Sequence, residues 1–281
     1  GVMYASGTGV AQDHTEAITW WRRAAAQGDV SAQFNLGVAY EAGRGVAVDA
    51  AQAVEWYRQA AEQADAGAQF NLAVMYASGT GVAQDHAQAV RWWRRAAERE
   101  HAGAQYNLGV MYETGLGVPQ DHAQAIEWYR QAAEQGDPSA QLNLGAMYDE
   151  GRGVARDDAQ AVAWWRKAAA QEDARAQFNL GVMYAEGRGV ARDAAEAVEW
   201  WGRAAEQGDA DAQLNLGTMF ANGSGVRRDP SRAVEWWRQA AEQGDARAQF
   251  NLGLSYRDGR GVPQDGSEAL VWLMVASARM S

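Results

Sequence analysis

The sequence has no cysteine, which excludes disulfide staples, thiolate metal sites and cysteine nucleophiles and leaves the compartment open. Proline is scarce, with 4 residues in 281, and the 5 phenylalanines are outnumbered by 13 tryptophans. Lysine is nearly absent: Lys167 stands alone, so positive charge is carried by arginine, whose planar fork stacks on rings as well as pairing with carboxylates. Positive charge is itself in deficit. A formal net charge of −11 and a pI near 4.9 repel phosphate backbones and anionic lipid, so no nucleic-acid partner is expected. Long apolar runs are missing too. The longest, Leu270 to Ala276, is too short to cross a bilayer, and no transmembrane segment is expected. No Val- and Ile-rich runs of a globular α/β domain occur. No signal peptide is visible, and because the chain opens at Gly1 rather than Met, any leader is expected to be missing already.

What the chain does contain is a repeat. Asn-Leu-Gly occurs at Asn35, Asn107, Asn143, Asn179, Asn215 and Asn251, and reads Asn-Leu-Ala at Asn71, with a spacing of 36 residues throughout. A Gly-x-Gly-Val run follows each, from Gly43 and Gly45 to Gly259 and Gly261; an earlier copy at Gly7 and Gly9 has no Asn-Leu-Gly before it. The period predicts a truncated first repeat over 1–28 and seven further repeats over 29–64, 65–100, 101–136, 137–172, 173–208, 209–244 and 245–281.

Each repeat reads as two helices. In 29–64, Ala32, Leu36, Ala39 and Tyr40 mark one apolar helical face. Gly43, able to take the left-handed conformation, ends that helix, and Val46 in the loop plugs the end of the pair. The second helix presents Ala53, Val54, Trp56, Tyr57, Ala60 and Ala61. Asp stands before it in all eight copies, from Asp13 and Asp49 to Asp229 and Asp265. Glu or Gln follows three residues later in all but one copy, where Arg232 intervenes, which is capping-box spacing. Pro138 and Pro230 directly follow an Asp, where a first helical turn accepts proline. All the tryptophans fall at one place in the repeat, and rings of that size need stacked neighbours to bury them.

The unit Asp-x-x-Ala-Gln-x-Asn-Leu-Gly-x-Met-Tyr-x-x-Gly-x-Gly-Val-x-x-Asp-x-x-x-Ala-Val-x-Trp-Trp/Tyr-Arg-x-Ala-Ala-Glu-Gln-Gly resembles the Sel-1-like repeat family, a relative of the tetratricopeptide repeats, over essentially the whole chain. The longer Gly-x-Gly-Val loop and the Trp-Trp/Tyr-Arg-x-Ala-Ala tail distinguish it from an ordinary tetratricopeptide unit. The resemblance implies an all-α fold, a right-handed α/α superhelical solenoid of 36-residue helix-pair repeats, acting as a non-enzymatic adaptor or scaffold. Such proteins are abundant in bacteria, often in the envelope or in host interaction, and in eukaryotes serve degradation and signalling assemblies; the resemblance slightly favours a bacterial periplasm or envelope. One secreted subgroup has a Cys pair in each repeat and is linked to β-lactam binding; this chain has no cysteine, so those properties do not carry over.

Sites for chemistry are few. The Gly-x-Gly runs lack a third glycine at dinucleotide spacing and any Gly-Lys-Ser/Thr, so they read as structural. His14, His86 and His122 share one repeat position and are therefore separated by multiples of the repeat rise, about 10 Å. Metal ligands must lie within about 2–2.5 Å of one ion, and these histidines, with His101, read as solvated. No catalytic residue, metal or cofactor is expected. Pairs such as Trp21-Arg22, Tyr57-Arg58 and Trp93-Arg94 read as core rings with cation–π support, altered where Gly202 and Met274 replace the Arg.

The functional candidate is the column Asn35, Asn71, Asn107, Asn143, Asn179, Asn215 and Asn251. Counted at 100° per residue, it lies about 90° from the apolar stripe of the first helix. In a solenoid of this type first helices line the concave surface, where a row of amides grips the backbone of an extended peptide, each offering a donor and an acceptor. The alternative is that each Asn bonds a neighbouring loop or helix and sets the repeat angle. Partner specificity is expected from positions that vary between copies. Ser31, Gly67, Gly103 and Ser139 are small, whereas Arg175, Asp211 and Arg247 at the same position are charged; Glu41, Ala77, Glu113, Asp149, Ala185, Ala221 and Arg257 form a second variable set. The expected partner is a protein or extended peptide on the concave surface. The apolar last helix and cut first helix raise end-to-end self-association, and with it a second reading as an accessory subunit bracing a larger assembly through its ends.

Overall fold

The computed structural model describes residues 1–280, which contain sixteen helices and no strand. They form two compact units, 1–140 and 141 onward. The first unit holds α1 (Val2–Ser6), α2 (His14–Ala25), α3 (Val30–Ala42), α4 (Ala50–Glu62), α5 (Ala66–Ser78), α6 (His86–Ala97), α7 (Ala102–Thr114) and α8 (His122–Glu134). Helix α9 (Pro138–Glu150) spans the boundary. The second unit continues with α10 (Asp158–Ala169), α11 (Ala174–Glu186), α12 (Ala194–Glu206), α13 (Ala210–Asn222), α14 (Pro230–Glu242), α15 (Ala246–Asp258) and α16 (Gly266–Met280). Each consecutive pair from α1 to α8, and from α10 to α16, packs side by side, giving an all-α solenoid of helix pairs. Residue 281 lies outside the described chain.

Aspartate starts the helices as the sequence predicts. Asp49 is extended, with φ −147°, and its carboxylate accepts the Gln52 amide at 3.0 Å; Asp29 does the same for Ala32 at 2.7 Å. The expected capping box is only half made. The cap's own amide donates to the carbonyl of the preceding tyrosine (Asp49 to Tyr40, 2.9 Å), so the Glu or Gln has no amide to reach back to. Glu16 instead accepts from Trp20 Nε1 at 2.9 Å.

The Gly-x-Gly run is a packing joint. Its first glycine ends the helix in the left-handed region, as Gly43 does at φ 69°. The second lies against the first turn of the preceding second helix: a Cβ on Gly45 would stand 2.4 Å from the His14 carbonyl oxygen, and on Gly225 2.1 Å from that of Ala194. Only a residue without a side chain permits that approach.

The core is a column of leucines, with Leu36, Leu72, Leu108, Leu144, Leu180 and Leu252 fully buried, flanked by alanines of the second helices. The two aromatic positions separate. The second ring is inside in most pairs (Tyr57, Trp93, Tyr129, Trp165 and Trp201 are buried; Trp21 and Trp237 are half-buried), while the first ranges from 44% exposed at Trp20 to buried at Trp164. Truncating a buried ring of this kind to Ala costs about 3–5 kcal/mol. The glycine of Asn-Leu-Gly makes room for the inner ring, since a Cβ on Gly181 would meet Trp201 Cδ1 at 2.4 Å.

Candidate binding surface along the first helices

Side-chain hydrogen bonds divide the first-helix polar residues into two columns. Gln33, Gln69, Gln105, Gln141, Gln177, Gln213 and Gln249 are buried. In the first unit Gln69 donates to the Ala61 carbonyl at 3.0 Å, and in the second Gln213 donates to Ala205 at 3.1 Å. Most also accept from a glutamine thirty residues on: Gln63 to Gln33 at 2.7 Å, Gln135 to Gln105 at 2.6 Å, Gln207 to Gln177 at 2.8 Å and Gln243 to Gln213 at 2.9 Å. This ladder ties one repeat to the next. It passed unnoticed in the sequence because a glutamine beside an apolar stripe carries no mark of burial.

The asparagines two residues further on behave differently. All seven are half-buried. Among the described residues, the side chains of Asn35, Asn107, Asn179, Asn215 and Asn251 make no hydrogen bond, whereas Asn71 lies against the Tyr57 hydroxyl. Two of them line clefts at corresponding places, one in each unit. The first, about 270 Å³, is bounded by Trp21, Asn35, Val38, Ala39 and Arg44; the second, about 460 Å³, by Trp237, Asn251, Leu254, Ser255 and Arg260. Every residue of the second set stands 216 positions after its counterpart in the first. A recurrent cleft with an amide, an indole and an Arg on its rim can hold a backbone segment and an acidic or aromatic side chain.

The variable charged residues are exposed, and two of them meet. Arg247 pairs with Asp211 of the preceding repeat and with Asp245 at 2.8 Å; Arg175 stands 3.8 Å from Asp173. In the second variable set, Glu41 and Glu113 each accept from a buried tyrosine hydroxyl, Tyr57 at 2.6 Å and Tyr129 at 2.5 Å. Burial and the Glu41 carboxylate hold the Tyr57 hydroxyl protonated far above the usual phenol range. Glu appears at this position where the inner ring is Tyr, and Ala77, Ala185 and Ala221 where it is Trp93, Trp201 and Trp237, so the two Glu follow the core; Asp149, opposite Trp165, instead pairs with Arg188.

The Trp-Arg pairs differ from expectation. Arg22, Arg58, Arg94, Arg166 and Arg238 reach forward to the tyrosine of the next repeat: Arg94 Nη2 donates to the Tyr112 hydroxyl at 2.7 Å and Arg238 to Tyr256 at 2.6 Å. The cation over the outer Trp is the next residue along, as with Arg95 at 4.7 Å from the Trp92 ring and Lys167 at 3.8 Å from Trp164. Three-residue spacing on a helix puts those side chains on one face. His101 is not solvated. It caps α7, with Nδ1 accepting the Ala104 amide at 3.2 Å and its ring stacked on Phe70 at 4.6 Å; burial holds it below the usual histidine range. Among the described residues no three His, Asp or Glu side chains are arranged to hold a metal, and no helix is long and apolar enough to cross a membrane.

The Sel1 repeat model matches the chain eight times, over 1–29, 30–65, 66–101, 102–137, 138–173, 174–209, 210–245 and 246–276. The chain is a Sel1-repeat protein. A solved structure of a protective antigen present in uropathogenic Escherichia coli strains, displaying an SLR fold, is 35% identical with a TM-score of 0.80, over 98% of this chain and 67% of that one. A Sel1 repeat protein from Oxalobacter formigenes is 36% identical with a TM-score of 0.76, over 94% of this chain and 76% of that one. The APC/C hetero-tetramer Cut9–Hcn1, at 14% identity and a TM-score of 0.51 over 90% of this chain and 47% of that one, shares the fold alone. No curated protein matches the sequence. Sel1-repeat solenoids are generally protein–protein interaction scaffolds and typically non-catalytic.

In this Sel1 repeat array, the junction between the sixth and seventh repeats departs from the pattern at several positions at once. Gly202 replaces the forward-reaching Arg, and Phe220, eighteen residues on, replaces the tyrosine that would have received it. Donor and acceptor are lost together. Arg232 occupies the space, its guanidinium 4.2 Å from the Phe220 ring centre.

Proposed function

We propose that this Sel1-repeat protein holds a partner protein or extended peptide on its concave surface, gripping the partner's backbone with the Asn column. What supports the reading is the contrast between neighbouring columns: the glutamines are consumed by inter-repeat bonds, while the side-chain amides of five half-buried asparagines have no hydrogen-bond partner within the described chain. A half-buried amide without a bond is costly unless water or a ligand satisfies it. Arg175, Asp211 and Arg247, exposed on successive repeats, supply charge beside the row and contribute specificity.

The test is affinity capture from the native source with the intact chain and with Asn179→Ala/Asn215→Ala/Asn251→Ala as baits. Loss of the partner at unchanged helicity supports the grip; loss of the fold sinks it. A partner kept by both baits moves the interface elsewhere and favours the second reading, a subunit bracing a larger assembly through apolar side chains such as Leu270, Val271 and Met274 of α16, which are more than half exposed.

A further inference from the structure

The departures in the seventh repeat converge on one cleft. Phe220, Val226, Arg227, Arg228, Asp229, Pro230 and Arg232 bound a space of about 470 Å³ between the end of α13 and the start of α14. Its charge is unusual for this chain. Arg227 stands where the other copies have Ala or Pro, and Arg232 where they have Glu or Gln. All three guanidinium groups belong to exposed residues. Arg228 is braced by Nε donating to the Ala221 carbonyl at 3.0 Å, and Arg232 lies over the Phe220 ring. Among the described residues none of the three has a carboxylate within ion-pair distance, while in the same unit Arg188 alone is paired with Asp149, Asp158 and Glu186. The one acid in the cleft, Asp229, is committed to capping α14 by accepting from the Ser231 and Arg232 amides, both at 3.1 Å.

On a protein of net charge −11, three arginines without an ion-pair partner at one spot, two of them braced, make a local field of opposite sign, and Arg is suited to bidentate capture of carboxylates. We propose that this cleft is the docking point for acidic side chains of a bound peptide. Arg228 and Pro230 also line the Asn251 cleft, so a peptide gripped there runs directly into it. The inference therefore rests on the peptide-scaffold reading and names the chemistry of the partner: a segment carrying consecutive Asp or Glu. A nucleic-acid strand is disfavoured, because its phosphates extend past three arginines onto an acidic surface.

The test uses fluorescein-labelled hexaglutamate, read by fluorescence anisotropy at low salt. Arg227→Gln/Arg232→Gln weakens binding tenfold or more at unchanged helicity and melting temperature. Arg23→Gln/Arg91→Gln, which removes the same charge from exposed sites in the first unit, changes it less than twofold. Equal loss in both variants, or none in the first, would overturn the proposal, as would competition by oligothymidylate at the concentration where unlabelled hexaglutamate competes. Asn179→Ala/Asn215→Ala/Asn251→Ala is titrated alongside: hexaglutamate binding lost in this variant but kept by Arg227→Gln/Arg232→Gln assigns the acidic segment to the amide row and overturns the proposal, and the reverse supports the arginine cleft, so the two readings are told apart.

Discussion

Glu100 offers a direct measure of strain in the turns between repeats. It has φ 59°, as Ala64 has 69° and Glu172 has 66°, at the position where Gly28, Gly136, Gly208 and Gly244 have φ between 87° and 98°. A side chain in the left-handed region costs about 1–2 kcal/mol. Glycine gives back about 0.5–1 kcal/mol of that through the larger entropy it loses on folding. Glu100→Gly is therefore expected to stabilise by about 0.5–1 kcal/mol. The reciprocal change is as informative. A Cβ on Gly208 would have nothing within 4 Å, so Gly208→Ala is free of steric clash and its cost is conformational alone. It is expected to destabilise by about 0.5–1 kcal/mol. Guanidinium chloride unfolding followed by circular dichroism reads both, provided the slope of free energy against denaturant is the same in each variant. If Gly208→Ala is neutral, the turn relaxes out of the left-handed region at no cost and the reasoning fails for all three strained copies. If Glu100→Gly destabilises, the Glu100 side chain contributes more than its backbone costs, and the reasoning fails there.

Two further outcomes follow from the same junction. Gln69 Oε1 is buried without a described partner because Arg99, standing where other repeats have the ladder glutamine, donates to the Ala64 carbonyl instead; Arg99→Gln should complete the ladder and raise stability by about 1 kcal/mol in the same unfolding assay. His101 binds a proton less readily folded than unfolded, so stability is full above the unfolded value near 6.5 and falls as pH drops through the lower folded value; His101→Asp should abolish that loss in melting curves between pH 7 and 5.

The helices were legible because their signals are local. An Asp before each start, a Gly after each first helix and an apolar stripe at helical spacing specify where each helix lies without reference to its neighbours. What the sequence concealed is what passes between repeats. Gln33 looks like any surface glutamine until Gln63 bonds it, and Arg94 looks like the partner of Trp93 until its reach to Tyr112 is seen. Glu41 resembled a variable surface acid, yet it is coupled to Tyr57 in the core. The asparagine row is visible in the sequence as a column because its spacing alone puts it off the apolar stripe. The arginine cleft carries a sequence signal too: Gly202 in one copy and Phe220 and Arg232 in the next all break the pattern around a single junction.

The forward bond from Arg to Tyr bears on how such an array is inherited. Its donor lies in the second helix of one copy and its acceptor in the first helix of the next, eighteen residues on. A recombination event cutting at the Asn-Leu-Gly motif frame would separate the two and leave each with a stranger. A crossover inside the Gly-x-Gly loop would carry both together. Gly202 and Phe220 fall within one such half-shifted segment, so a duplication or deletion of that segment carries both together, and the segment that can be copied or deleted without a mismatch is the second helix of one repeat joined to the first helix of its successor.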